Sequence, residues 1–131
     1  MAHSFVTFND KHVRVNDFDL IAFAYFTMRA AANIKYPNEI SEMFHAWIDS
    51  IANDGAGNID LQLEKFLVNE RLIGSFIDVL KCANLALSHE PDEFRPTDLD
   101  NLIGIKGIKF GMYKKTFLQN TISDLKGIIT S

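Results

Sequence analysis

The N-terminal segment alternates apolar and polar positions in two short runs. Residues 5–8 and 12–15 carry Phe and Val at β-prone positions, and Asn9-Asp10 between them is a turn dipeptide. This pattern predicts a β-hairpin in residues 1–16. Because two isolated strands are only marginally stable in water, we expect the hairpin to pack against another part of the chain.

From residue 17 onward the apolar positions recur at helical spacing. The run from Phe18 to Asn33 is apolar on nearly all sides, which predicts a central buried helix capped by Asn16 or Asp17. A second helix is expected after Pro37, whose missing N–H is tolerated in a first turn. The apolar stripe of this helix consists of Ile40, Met43, Phe44, Trp47, Ile48 and Ile51.

The second half of the chain contains further helix and turn signals. Residues 53–58 include two glycines and form a predicted turn, after which a third helix is expected to open near Asp60. Asn69 is the predicted cap of a fourth helix, and residues 88–96 are predicted to form a surface loop. Thr97 and Asp100 resemble a capping box for a short helix to residue 103. The last helix has a stripe of Tyr113, Phe117, Leu118, Ile122 and Leu125.

These elements predict a mainly α fold, a single compact helical domain over residues 1–131 with about five to six helices. The hairpin occupies residues 1–16 and the helical body residues 17–131. Of the 131 residues, 47% are hydrophobic and eleven are Phe, which is enough apolar surface for one core. The single cysteine, Cys82, excludes an internal disulfide and is expected to be a small core residue rather than a nucleophile.

Neither a membrane span nor an export signal is predicted. No apolar run approaches the roughly 20 residues that a spanning helix needs. Residues 1–11 lack the basic, then apolar, then small-residue pattern of a signal peptide. Together with the single thiol, this leads us to expect a cytoplasmic location.

The net charge of −4 is unevenly distributed along the chain. Residues 1–36 have a net charge of +1, and residues 101–131 have a net charge of +4. Residues 37–100 carry thirteen acidic and four basic side chains, a net charge of −9. An acidic middle followed by a basic tail favours the binding of a charged partner over catalysis.

No motif indicates an enzyme, a cofactor or a metal. The histidines are scattered, and no nucleophile elbow, Walker loop or dinucleotide fingerprint occurs. Residues 52–63 imitate an EF-hand loop with Gly57 at the sharp turn, but Ala56 and Leu63 stand where calcium requires oxygen ligands. We therefore expect neither enzymatic activity nor a bound cofactor or metal.

The basic C-terminal segment supports an alternative hypothesis. Residues 99–115 resemble the helix-hairpin-helix module of DNA-binding proteins, in which N–H groups at a helix N-terminus meet a phosphate and lysines add charge. The two glycines at the hairpin are three residues apart here rather than two, and no Pro precedes the first. Under this hypothesis the phosphate-binding residues are Gly104, Lys106, Gly107, Lys109, Lys114 and Lys115.

In size, acidity and absence of catalytic motifs, the whole chain resembles bacterial immunity proteins of toxin–immunity pairs, including those of contact-dependent growth inhibition. This resemblance implies stoichiometric binding to a cognate toxin domain, of basic and nuclease-like character, whose active or substrate-binding surface is covered. A third hypothesis is a structural or phage accessory protein that self-associates through exposed Phe side chains. Charge clustering alone selects the expected partner-binding residues: Asp49, Asp54, Asp60, Glu64, Glu90, Asp92, Glu93, Asp98 and Asp100.

Overall fold

The computed structural model describes residues 2–94 and 113–130. Within them the chain is mainly helical, with five helices and an N-terminal two-stranded hairpin, β1-β2, as the periodicity predicts. A second two-stranded antiparallel sheet, β3-β4, is not predicted by the sequence. No helix in these two ranges is long and apolar enough to cross a membrane. The elements are β1 (His3–Phe8), β2 (Lys11–Asn16), α1 (Asp17–Ala31), α2 (Asn38–Asn53), α3 (Leu63–Phe66), α4 (Glu70–Ser88), β3 (Glu93–Phe94), β4 (Tyr113–Lys114) and α5 (Lys115–Thr130).

The N-terminal hairpin turns at the predicted dipeptide. Asn9 and Asp10 both have positive φ, 50° and 67°, the backbone sense that suits a two-residue hairpin turn. Val6 pairs with Val13 and Phe8 with Lys11 across the ribbon. The inward positions of β1 are buried, so the hairpin is fastened to the helical body along one face.

Helix α1 is the centre of the fold and packs against α4 and α5. Its cap is Asn16, whose side-chain oxygen accepts a hydrogen bond from the backbone N–H of Phe18 at 2.8 Å. Asp17 is therefore the first helical residue, and its carboxylate accepts hydrogen bonds from Ser4 and Gly57 instead of capping the helix. Leu20, Phe23 and several alanines of α1 are fully buried, as the apolar run predicts.

Helix α2 buries most of its predicted stripe. Trp47 is fully buried and contacts the rings of Phe23, Phe44 and Phe76, with centroids 5.1 to 5.9 Å apart. Ile48, which the stripe includes, is 38% exposed. The aromatic cluster thus joins α1, α2 and α4 around one indole.

The third helix is much shorter than the sequence predicts. Asp60 precedes it, because the Asp60 carboxylate accepts a hydrogen bond from the backbone N–H of Gln62 at 2.9 Å and forms a local turn. Gln62 has a left-handed φ of 53°, which a helix does not accommodate. The helix therefore begins at Leu63, whereas the next one starts after its predicted cap, Asn69.

The predicted surface loop at residues 88–96 contains a short strand. Phe94 in β3 is only 4% exposed and pairs with Tyr113 in β4. Tyr113 thus belongs to this ribbon and not to the last helix, which begins at Lys115. The capping box of Thr97 and Asp100 and its short helix lie outside the described residues.

Candidate partner-binding surface

Ser50 on α2 brings two of the predicted acidic residues together. The Ser50 hydroxyl donates to the Asp54 carboxylate at 2.6 Å and accepts the backbone N–H of Asp60 at 2.8 Å. Ser50 is only 3% exposed, whereas Asp54 and Asp60 are both exposed. A buried hydroxyl therefore holds the end of α2 against the loop that follows it.

A second buried group fixes the middle of the same loop. The carboxylate of Asp17 accepts one hydrogen bond from the Ser4 hydroxyl at 2.6 Å and another from the backbone N–H of Gly57 at 2.8 Å. Ser4 in turn accepts the backbone N–H of Ile59 at 3.1 Å. The Asp17 carboxylate and the Ser4 hydroxyl thus connect β1, the first turn of α1 and the loop.

Gly57 has the backbone conformation that this arrangement requires. Its φ is +78°, and a Cβ at this position would lie 3.4 Å from the backbone oxygen of His3. The turn signal in the sequence thus reflects the left-handed backbone at Gly57, which a residue without Cβ adopts at no steric cost.

Glu64 lies at the far end of the loop, beside the hairpin turn. Its carboxylate accepts the backbone N–H of Asn9 at 2.7 Å. Between β1 and residues 60–65 runs a shallow groove of about 360 Å³ with Asp60 and Glu64 on its wall. Asp49 is exposed on α2, next to Ser50. We call Asp49, Asp54, Asp60 and Glu64 the loop surface.

The loop surface lies in a stretch of chain that is rich in carboxylates. Residues 36–64 carry six acidic side chains and neither lysine nor arginine. Lys65, which follows, lines the same groove as Asp60 and Glu64, and its ammonium lies over the Phe66 ring. Because the backbone of the loop is held by buried partners, its carboxylates are displayed on a fixed scaffold. Such an arrangement attracts cations without first having to become ordered.

The negative charge of the predicted acidic residues after α4 is partly compensated by lysines of the C-terminal segment. The Lys115 ammonium lies 3.6 Å from the Asp92 carboxylate and donates to the Glu90 carbonyl at 3.1 Å. Glu93 faces Lys114 in the β3-β4 register. Lys114 and Lys115, two residues of the alternative phosphate-binding set, therefore lie beside the acidic stretch of the chain.

The remaining predicted site residues lie outside the described ranges. They are Asp98 and Asp100 of the acidic set, and Gly104, Lys106, Gly107 and Lys109 of the phosphate-binding set. The predicted partner-binding acids that the structure describes form two groups, one near each end of α1. The loop surface lies near its first residue, Asp17, while Glu90 lines a cavity with Arg29 in its last turns.

Sequence reasoning missed a contact between Asp19 and Tyr113. The Tyr113 hydroxyl donates to the Asp19 carboxylate, which fastens β4 to the first turn of α1. Burial raises the pKa of Asp19 above its ordinary value, although the Tyr113 hydrogen bond and the nearby His3 oppose the shift. Burial and the adjacent carboxylate also raise the pKa of Tyr113, so its hydroxyl remains a donor.

An apolar groove beside the loop surface was also missed. It has a volume of about 300 Å³ and lies between the first turns of α1 and the end of α2. Its walls include Phe18, Ile51 and Ile59, and the small residues Ala52 and Ala56 leave the space open. The sequence signal for the groove is the small residues Ala52, Gly55 and Ala56. The pattern of glycines and asparagines there predicts a turn and gives no indication of a groove.

No group of three or more His, Cys, Asp or Glu side chains within residues 2–94 and 113–130 is placed to hold a metal ion. Cys82 is half-buried, and its thiol donates to the Ala30 carbonyl at 3.3 Å. Comparison with protein-family models, with curated proteins and with solved structures found no match to this chain.

Proposed function

We propose that this protein is an immunity protein that binds a cognate toxin domain and covers a basic, substrate-binding surface of that domain. The observation that carries the proposal is the loop surface, whose four carboxylates lie at the end of α2, in the following loop and at the start of α3. The loop itself is fixed by Ser50, Asp17 and Ser4. The substrate of a nuclease-type toxin is a polyanion. A rigid acidic surface therefore competes for the groups that bind that substrate.

The loop surface is a better candidate for the main contact than the acidic residues near β3. Asp92 is already paired with Lys115, and Glu93 faces Lys114, so the local field there is reduced. Among the described residues, no lysine or arginine forms an ion pair with the carboxylates of the loop surface. Attraction between exposed charges raises the association rate and weakens with salt.

The test uses the product of the neighbouring gene, which this proposal expects to contain the toxin domain, and variants that remove charge but keep the acceptor oxygens. In the triple variant Asp54→Asn/Asp60→Asn/Glu64→Gln, the amide oxygens can still accept the loop hydrogen bonds. We expect affinity for the toxin domain at low salt to fall at least about tenfold, and the difference to shrink at high salt. The matched control Glu90→Gln/Asp92→Asn/Glu93→Gln removes the same formal charge and should have a smaller effect.

Two results would overturn the proposal. One is an unchanged affinity in both triple variants, and the other is a failure of the wild-type chain to protect cells that express the toxin domain. Salt-dependent binding to duplex DNA without toxin binding would instead favour the nucleic-acid hypothesis. Thermal unfolding of each variant checks that the fold is retained.

A further inference from the structure

The apolar groove beside the loop surface is bounded by the first turns of α1 and the end of α2. Phe18, Ile21, Ile51 and Ile59 form its apolar walls. Phe18 is 42% exposed, although it is the largest side chain in the groove. A partly exposed aromatic ring next to an open apolar space is a typical anchor point for a partner side chain.

The side chains that line this groove include one carboxylate and no base. The carboxylate is Asp17, which is nearly buried and bound to Ser4 and Gly57. Asp54 is exposed and lies in the chain between the lining residues Ala52 and Gly55. An occupant with its own carboxylates would be repelled, and one with lysines or arginines beside the apolar group would be attracted.

We infer that the groove receives an apolar side chain of the partner, such as Phe or Leu, carried on a lysine- or arginine-rich segment. This inference rests on the proposed function and names the chemistry of the partner segment. The apolar side chain is buried between Phe18 and Ile51, and a flanking cation pairs with the exposed Asp54 carboxylate. The apolar anchor thus supplies affinity and the carboxylates supply orientation.

The first experiment does not need the toxin. The ¹⁵N-labelled full-length chain is titrated with a capped synthetic peptide in which Phe-Leu is flanked on each side by two lysines. We expect chemical-shift changes centred on the amides of Ala52, Ala56 and Ile59. Two control peptides, one with Ala-Ala in place of Phe-Leu and one with glutamates in place of the lysines, should bind at least about tenfold more weakly.

A variant that fills the groove supplies the second readout. Ala52 is exposed on α2 and lines the groove, so Ala52→Phe adds a ring there without removing a core atom. It should weaken peptide binding at least about tenfold. The matched control is Ala32→Phe, the same change at an exposed position past the other end of α1.

The outcomes separate the two proposals. Equal binding of the Ala-Ala peptide, or undiminished binding by Ala52→Phe, overturns the groove inference. If the charge-removing triple variant weakens toxin binding while Ala52→Phe does not, the proposed function holds and the groove inference is wrong. If the peptide binds in the groove but no toxin is bound, the proposed function is wrong and the groove stands as a site for basic apolar segments.

Discussion

The indole N–H of Trp47 donates a hydrogen bond to the backbone carbonyl of Leu61 at 2.7 Å, and both residues are buried. Through this bond the aromatic cluster of the core holds the backbone that leads from the loop surface into α3. The only tryptophan of the chain therefore serves both the core and the scaffold of the proposed site.

Replacing Trp47 by Phe is expected to lower the free energy of unfolding by about 2 to 4 kcal/mol, because it leaves a buried carbonyl unpaired and a cavity behind. Urea denaturation followed by far-UV circular dichroism measures the loss. Phe76→Leu is the control, since it removes volume beside Trp47 but no hydrogen bond. Amide exchange in residues 55–62 should accelerate only in Trp47→Phe, and equal acceleration in both variants would contradict this account.

Ser4→Ala removes both the hydrogen bond to Asp17 and the acceptor for the Ile59 N–H. We expect a loss of about 1 to 3 kcal/mol, because two buried polar groups then lack their partner. Thr7→Ala on the exposed face of the same strand should change stability by less than about 0.5 kcal/mol. Thermal and urea unfolding of the pair provide the comparison, and similar losses in both would refute the role of the buried network.

Asp19 makes stability depend on pH in a defined direction. Its pKa is raised in the folded state above the ordinary value of 3.8, so folding favours the protonated carboxyl. The stability that comes from this preference is present at low pH and is lost as the pH rises from 3.8 through the raised pKa. Asp19→Asn cannot lose a proton, and its amide oxygen can still accept from Tyr113. The variant should therefore gain stability relative to wild type between about pH 3.5 and about pH 7. Urea midpoints of the variant and of wild type at both pH values measure this gain. A difference between the two proteins that is the same at both pH values would disprove the prediction.

Two glycines should respond oppositely to alanine. Gly74 lies exposed within α4 with open space at its Cβ position, so Gly74→Ala should stabilise the protein by about 0.5 to 1 kcal/mol. Gly57 has φ +78°, a backbone conformation that is strained for alanine, so Gly57→Ala should destabilise the protein by about 1 kcal/mol or more. Melting temperatures that shift in the same direction for both variants would be inconsistent with the loop geometry.

Local chemistry was sufficient to predict several features. The sequence predicts Asn16 or Asp17 as the cap of α1 and Asn69 as the cap of α4, because such side chains accept the free N–H groups of a first turn. Asn16 and Asn69 do so. The hairpin turn at Asn9-Asp10 is equally local. By contrast, the pairing of Phe94 with Tyr113 depends on how α4 and α5 pack on α1, and no short window of sequence contains that information.

The candidate site also has a part that the sequence predicts and a part that only the folded structure shows. Counting charges identified the acidic residues, but it could not show that Lys115 lies against Asp92 while Asp54 and Asp60 meet at Ser50. The sequence identifies Asp17 only as a possible helix cap. Its bond to Gly57 arises because the loop returns to the first turn of α1, which is a property of the assembled fold.

The bonds that hold the loop surface join residues far apart along the chain. Asp17 and Gly57 are 40 positions apart, and Ser4 and Ile59 are 55 positions apart. Such contacts close large loops, and the entropy of closure has to be offset before they form. We therefore expect the acidic surface to take its shape late in folding, when the loop docks on the hairpin and on α1. A chain truncated before Ile59 would not carry it.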